Sequence, residues 1–268
     1  MTPDTPPPSI ARRVLLRMAL PAALLALPAW QRRADGLLHL TLLDVPGDAW
    51  LLRTPHDRAL LIDGGSEPAA LTAALGTMLP FWRRDLDAVI LTRAGAAWLP
   101  GQIAALERYA TRRALGPEPA RPTADLRAWR ELLAGYNVQF VPLRAGAMLK
   151  LDGALLTVVG LDAGGALLRI RYGRSHALLA HTAPAALAAI NDTVDFVAFP
   201  WVSDPRIPEL RALQPRTVVF TAGLASDHPA LLTRAERAVG DARLLHPAIH
   251  GAITWSSDGN RTTVATAR

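Results

Sequence analysis

Three short apolar segments open the main body of the chain before any segment has the pattern of a helix. They cover residues 37–43, 49–54 and 58–62, and a turn-forming sequence, DVPGD at residues 44–48, separates the first two. Apolar runs of this length, bounded by Gly, Pro and Asp, are typical of β-strands. Because no helix lies between them, they do not form a parallel βαβ unit. The sequence therefore predicts a sheet that starts with antiparallel strands.

Helical and strand patterns alternate along the rest of the chain, and the second half repeats the organisation of the first. We expect helices near residues 68–78, 101–109, 123–133, 184–190, 207–213 and 229–239, and strands near 88–92, 138–141, 148–151, 154–159, 166–172, 176–180, 194–199, 216–221, 243–246, 250–255 and 261–265. Half of the residues are hydrophobic and 19% are charged, which is enough apolar material for one sizeable core. No linker-like stretch interrupts the pattern. It predicts one α/β domain, residues 36–268, with two mixed sheets inside and helices outside.

The first 35 residues have a different character. A proline-rich tail, residues 1–9, precedes a 17-residue apolar run, residues 14–30, that has a pair of arginines on each side. A run of this length just suffices to span a bilayer, and Arg17 and Trp30 suit the headgroup region. We therefore predict a disordered tail and a membrane-embedded helix in residues 1–35, with the domain held outside the cytoplasm. A cleaved signal peptide that leaves a secreted protein, and a buried core helix, are the alternatives.

The net charge of +6 gives little support to nucleic-acid binding. Five arginines flank or enter the apolar run, so the remaining chain is only weakly basic. A domain that binds DNA through its phosphates usually has a clustered basic face. Three tryptophans with arginines close in sequence would offer a base-stacking surface: Trp82, Trp98 and Trp201 with Arg83, Arg84 and Arg93. Core and edge packing are the commoner roles of such residues, so single-stranded DNA is a weakly supported partner.

Several segments of the chain resemble one known family. The stretch LLDVPGDAWLLRTPHDRALLIDGG at residues 42–65 is similar to the opening of the C-terminal metallo-β-lactamase domain of ComEC, the membrane channel protein of natural competence. The segment that leads into the metal motif of that family is similar to residues 79–93, LPFWRRDLDAVILTR. The last segment of the family's domain is similar to residues 247–259, PAIHGAITWSSDG. The resemblance covers about residues 37–265. It implies a metallo-β-lactamase-like αββα sandwich and a competence channel protein as partner.

The metal ligands of the family are replaced at the matching positions. Thr92 and Gly101 keep the frame of its T-H-P-D-A-D-H-I-G-G motif, and His228-Pro229 matches a late G-H-P. The residues that stand at ligand positions are Arg93, Gly95, Ala97, Trp98, Thr182 and Trp201. The opening turn at residues 44–48 is one residue shorter than the corresponding turn of the family, and Pro46 stands where the family has a glycine. The resemblance therefore implies a degenerate metal site.

The chemistry of the replacing residues leads to the same prediction. Divalent metals need several imidazole nitrogens or carboxylate oxygens that converge, and the chain has no cysteine that would supply thiolate. Gly95 and Ala97 have no donor atom, and arginine has no lone pair to give. At roughly 4 Å and an effective dielectric constant near 20, Arg93 would oppose a dication by about 8 kcal/mol. We predict that the domain binds no metal and no other cofactor.

Two histidines leave open the alternative of acid–base catalysis without a metal. His181 and His228 would fall at the rim of the former active site, where either could form an acid–base pair with Asp63 or Asp227. Asp63 itself ends a strand in Asp63-Gly64-Gly65, a tight turn from which its carboxylate can accept hydrogen bonds from loop amides. We therefore expect a catalytically inactive, membrane-tethered binding or scaffolding module linked to DNA uptake. The alternative is a nuclease or phosphodiesterase with a relocated site around the two histidines.

Overall fold

A computed structural model describes residues 34–162, 165–180, 187, 190, 192–200, 208–221 and 241–268. Its strands are β1 Leu38–Leu42, β2 Ala49–Arg53, β3 Ala59–Asp63, β4 Asp85–Ile90, β5 Ala110–Gly116, β6 Gln139–Pro142, β7 Met148–Leu151, β8 Ala154–Asp162, β9 Gly165–Tyr172, β10 Ser175–Ala180, β11 Phe196–Pro200, β12 Thr217–Thr221, β13 Arg243–Leu245, β14 Ile253–Ser257 and β15 Thr262–Thr266. Its helices are α1 Pro68–Met78, α2 Pro100–Arg108, α3 Ala124–Gly135, α4 Pro208–Ala212 and α5 Pro247–His250. The predicted helices at 184–190 and 229–239 fall wholly or mostly outside the described residues.

The strands form two mixed sheets. The first sheet has the order β15-β14-β1-β2-β3-β4-β5-β6, and the second has the order β13-β12-β11-β10-β9-β8-β7. Strands β1, β2 and β3 pair antiparallel, as the opening of the sequence predicts, and β3 to β6 pair parallel. In parallel strands all carboxyl ends lie at one end of the sheet. Because β1 runs in the same direction as β3, the chain enters the domain at the opposite end.

Buried side chains fill the space between the two sheets, and others cover the outer face of each sheet. A central cluster includes Leu40, Trp50, Phe196 and Trp255, so it joins strands of both sheets. A second cluster joins the first sheet to α1, α2 and α3, and a third lies on the far face of the second sheet with residues of α4. Apolar faces on both sides of a sheet require a layer on each side. The predicted αββα sandwich of two mixed sheets is confirmed.

Element positions agree with the sequence pattern except at a few places. The helix predicted at 68–78 is α1, and the strand predicted at 88–92 begins three residues earlier, at Asp85. Strand β5 was not predicted, because its first half is ATRR and most of that half is exposed; only Ala114, Leu115 and Gly116 are buried. The strand expected at 250–255 starts at Ile253, after the short helix α5.

No helix in the part of the chain that the structure describes is long and apolar enough to cross a membrane. The apolar run at 14–30 lies outside the described residues. The division of the chain into residues 1–35 and 36–268 remains a prediction.

Candidate functional site

Three loops meet at the carboxyl ends of β3 and β4, where the sequence placed the former metal site. They are residues 44–48, 63–66 and 92–101, and backbone hydrogen bonds join them directly. The amide of Asp48 donates to the carbonyl of Ala97 (3.1 Å), and the amide of Gly65 donates to the carbonyl of Asp48 (2.9 Å). The amide of Ser66 donates to the carbonyl of Pro46 (2.8 Å). The three loops are therefore joined directly to one another, and we refer to them as the loop frame.

Glycines permit this close approach. A Cβ atom added at Gly101 would lie 1.9 Å from the carbonyl oxygen of Gly64, and one added at Gly64 would lie 2.1 Å from the amide nitrogen of Gln102. Gly47 has a φ of +82°, and its added Cβ would lie 2.2 Å from the carbonyl oxygen of Ala97. No larger residue fits at these distances without backbone movement. The glycine of the opening turn and the Gly-Gly after β3 thus have a structural reason.

Asp63 is completely buried at the end of β3 with a positive φ of 57°. Its Oδ1 accepts a hydrogen bond from the amide of Thr92 (2.8 Å), and its Oδ2 is 2.6 Å from the hydroxyl of Thr92. Burial raises the pKa of Asp63 well above its ordinary value; the hydrogen bonds from Thr92 oppose this, and the negative charge of Asp48 adds to it. The predicted role of Asp63, a turn carboxyl group that accepts from a loop amide, is confirmed.

Asp48 is a second buried carboxyl group in this frame, and the sequence analysis treated it only as a turn residue. Its Oδ2 accepts a hydrogen bond from the indole Nε1 of Trp98 at 3.2 Å. The available signal was the opening turn itself, DVPGD at residues 44–48, which ends in Asp48. Its importance was missed because the sequence does not show that the loop at 92–101 folds over it.

Trp98 occupies the centre of the altered motif. It is half-buried, it packs beside the cluster under the helices, and the guanidinium carbon of Arg93 lies 4.7 Å from the centre of its ring. A Cβ atom at Gly95 would lie 3.1 Å from the same ring, so the small residue leaves room for the indole. A guanidinium group over an indole face is a favourable cation–π pair. Arg93, Gly95 and Trp98, which the sequence resemblance predicts to stand at ligand positions, therefore form one packed contact group.

The residues at this position do not fit a metal ion. Arg93 supplies positive charge, Trp98 supplies a ring and an N–H donor, and Gly95 has no side chain. Ala97 is buried, and its carbonyl already accepts from Asp48. Within the described ranges, no group of three or more His, Cys, Asp or Glu residues is placed to hold a metal. The predicted positions Thr182 and Trp201, and the cleft histidines His181 and His228, lie outside the described residues.

His246 is a buried histidine at the second sheet. It follows β13, and its Nδ1 accepts a hydrogen bond from the amide of Ala248 at 3.1 Å. It therefore caps the amino end of α5. Its local role is structural, and the Pro-Ala-Ile-His sequence after it was the available signal for a helix start.

The tryptophans and arginines that would form a base-stacking surface do not come together. Trp82, Arg83 and Arg84 precede β4, whereas Arg93 and Trp98 follow it, so the two groups lie at opposite ends of the sheet. Trp82 is 53% exposed and contacts Phe81, while Trp98 packs into the loop frame. The described members of this group therefore do not form one stacking surface, and Trp201 lies outside the described residues.

Comparison with known proteins shows the fold. No protein-family model matches the chain, and no curated protein matches it. Among solved structures, the chain is similar to the metallo-β-lactamase fold protein YhfI from Bacillus subtilis, with a TM-score of 0.61, 14% identity, and coverage of 78% of this chain and 96% of that one. It is also similar to Igni18, a metallo hydrolase from the archaeon Ignicoccus hospitalis, with a TM-score of 0.54, 12% identity, and coverage of 84% and 98%.

A third similar structure carries different chemistry. CmlA, a diiron β-hydroxylase from Streptomyces venezuelae, has a TM-score of 0.55 and 16% identity, with coverage of 81% of this chain and 53% of that one. At these identities the similarity concerns the fold alone, and one fold carries many functions. The chain has a metallo-β-lactamase fold.

Proposed function

We propose that this chain is a membrane-tethered metallo-β-lactamase-fold domain that has lost the metal-dependent hydrolase site and acts as a binding or scaffolding module in DNA uptake. The contact group of Arg93, Trp98 and Asp48 carries the proposal. The indole that stands at a ligand position donates to a buried carboxylate and is covered by a guanidinium. These side chains stabilise the loop as it is and offer no coordination sphere.

The chemistry of Asp63 supports the same proposal. A carboxyl group that serves a metal or acts as a general base must present a free lone pair to the ligand or substrate. Asp63 is completely buried, each of its oxygens contacts Thr92, and its burial disfavours the charged form. The group is suited to fixing the two loops and not to proton transfer with a substrate.

The tether and the link to DNA uptake rest on the sequence. Residues 14–30 have the length and flanks of a membrane helix. The resemblance of residues 37–265 to the ComEC domain provides the link to a competence channel protein as partner. The domain would then contribute a folded surface to a membrane assembly whose chemistry is carried by other parts.

Enzymatic assays of the full chain in detergent test the proposal against a relocated hydrolase. The substrates are single-stranded DNA and bis(p-nitrophenyl) phosphate, each with added Zn²⁺ or Mn²⁺. We expect no turnover above that of His181→Ala and His228→Ala variants prepared in the same way. Turnover that is present in the parent chain and lost in either variant would replace the proposal with a hydrolase built on those histidines.

A further inference from the structure

The amino ends of β3, β4, β5 and β6 lie at the end of the domain opposite the loop frame. Strand β1 starts at Leu38 at this same end, because β1 and β3 both pair antiparallel with β2. Residues 14–30 end only a few residues before β1. If that run is held in a membrane, the bilayer lies next to this end of the domain.

Two large aromatic side chains are exposed here. Phe81 is 70% exposed and Trp82 is 53% exposed, and they directly precede β4. Their ring centres are 4.9 Å apart with an angle of 83° between the planes. An edge-to-face pair of this kind is fixed in shape, and exposed Trp and Phe are the residues that enter the membrane–water interface.

A cavity of about 270 Å³ opens at the same end between the two sheets. On one side, neighbouring strands carry Arg113 and Gln139 in register, and the Nε of Arg113 lies 3.3 Å from Oε1 of Gln139. On the other side, β7 contributes Leu149 and Lys150. The next residue inward from Arg113 on the same face of its strand is the buried Leu115, so the hydrophobic core ends at this cavity.

Arg83 joins the aromatic pair to the cavity. Its Nη2 lies 3.4 Å from Oδ2 of Asp87, a residue that lines the cavity, and its Nη1 donates to the backbone carbonyl of Asp57. Arg83 is mostly buried by these contacts. The turn that presents Phe81 and Trp82 is therefore fixed relative to the cavity.

The charge at this end is positive outside one ion-pair network. Three arginines (Arg53, Arg58, Arg83) pair with four aspartates (Asp57, Asp85, Asp87, Asp152), which leaves one aspartate in excess. Four further cations are exposed and have no carboxylate within ion-pair distance among the described residues: Arg84, Arg112, Arg113 and Lys150. The last three line the cavity. Cations without partners around an opening favour a bound anion, and guanidinium groups match phosphate oxygens.

We propose that this end of the domain docks on an anionic phospholipid surface, with Phe81 and Trp82 at the interface and the exposed cations Arg112, Arg113 and Lys150 facing the headgroup phosphates. The proposal rests on the membrane tether of the proposed function for its geometry. It adds an orientation, in which the loop frame with Trp98 points away from the bilayer.

The position of the chain entry favours a lipid surface over single-stranded DNA. Both ligands carry phosphates and both suit aromatic side chains. With the proposed tether, the chain itself brings a bilayer to this end, since residues 14–30 end a few residues before β1. The basic residues also lie on the same end as the interfacial aromatics, which is the arrangement that peripheral docking requires.

Single labels on the full chain test the docking. The chain has no cysteine, so Ala110→Cys, exposed at the start of β5, can carry one nitroxide. The matched control is Ala96→Cys, exposed in the loop frame at the other end. Each labelled chain is reconstituted in phosphatidylcholine vesicles with and without phosphatidylglycerol. Collision with a water-soluble nickel complex reports whether the label faces water.

We expect phosphatidylglycerol to protect the label at position 110 and to leave the label at 96 exposed. The ratio of docked to undocked label should fall about fivefold for each cation changed to glutamine at Arg112, Arg113 and Lys150. Added salt should lower the same ratio without any substitution. Equal exposure of the label at 110 in both lipids, or protection at 96 instead, would overturn the proposal. Protection at 110 by single-stranded DNA but not by phosphatidylglycerol would overturn it in favour of a nucleic-acid surface.

A carbonate wash separates failure of this proposal from failure of the tether. A chain that stays with the vesicles but shows no lipid-dependent protection keeps the tether and refutes the docking. A chain that washes off, yet shows protection at position 110 when phosphatidylglycerol is present, refutes the tether and keeps the docking surface.

Discussion

The two ends of the parallel strands β3 to β6 differ in how they are closed. At the carboxyl ends, backbone groups of three loops bond to one another, and two carboxyl groups are buried among them. At the amino ends the core opens into a cavity, and exposed cations and aromatic rings lie beside an ion-pair network. The first end is held by direct hydrogen bonds between loops, whereas the second carries cations that have no ion-pair partner among the described residues. The contrast fits the proposed function, in which the carboxyl end has lost its site and the amino end provides a binding surface.

The largest effect should come from the glycines of the loop frame. Gly101→Ala places a methyl group 1.9 Å from the carbonyl oxygen of Gly64. We expect the free energy of unfolding to fall by about 3 kcal/mol, because the backbone must move to admit it. The matched control is Gly76→Ala in α1, where nothing lies within 4 Å of the added Cβ. That change should stabilise the protein by about 0.5–1 kcal/mol, since alanine is the better helix former. Denaturant midpoints of the full chain in one detergent compare the two.

A tryptophan at each end gives the next comparison. Trp98→Ala removes a half-buried ring, the partner of Arg93 and the donor to Asp48, and should cost about 2–3 kcal/mol of stability. Trp82→Ala removes a mostly exposed ring and should change stability by less than about 0.5 kcal/mol. Equal losses in the two variants would mean that the loop frame is not packed as described.

The buried carboxyl group of Asp63 should make stability depend on pH. Its folded-state pKa is raised by burial, so between the ordinary value of 3.8 and the raised value the folded state binds more protons than the unfolded state. Stability should therefore fall as pH rises through this window and then level off. Asp63→Asn keeps an acceptor for the Thr92 amide and cannot ionise, so the difference in stability between the two proteins should change across the same window. A difference that stays constant with pH would show that Asp63 is not buried in the folded protein.

The smallest effect should come from the cations at the open end. Arg112→Gln, Arg113→Gln and Lys150→Gln each change an exposed side chain without an ion-pair partner among the described residues. Each should alter the free energy of unfolding by less than about 0.5 kcal/mol. A cooperative loss of stability in the triple variant would mean that these residues hold the two sheets together, and that the cavity is a structural feature.

Much of the fold could be predicted because its signals are local. The strand runs, the turn at 44–48 and the proline at the start of α1 each act within a few residues. Strand β5 was not predicted because its first four residues, ATRR, are mostly exposed at the open end of the sheet. Arginines are tolerated at exposed positions, and here they interrupt the apolar pattern from which a strand is predicted.

The proposed loss of the metal site could be inferred from the sequence, but the packing of the residues at that place could not. The absence of donor atoms at Gly95 and Ala97 is visible in the sequence. The bond between Trp98 and Asp48 joins residues fifty positions apart, and only the folded chain brings them together. The open end was missed for the same reason, since Arg113 and Lys150 come from strands of different sheets.

The metal content of the purified protein tests the central claim most directly. The full chain is produced in medium with added zinc and manganese, purified without chelator, and its bound metal is measured by mass spectrometry. The residues at the former ligand positions predict metal far below one ion per chain, with no change in unfolding midpoint after treatment with a chelator. Near-stoichiometric metal that a chelator removes, with a loss of stability on removal, would contradict the account.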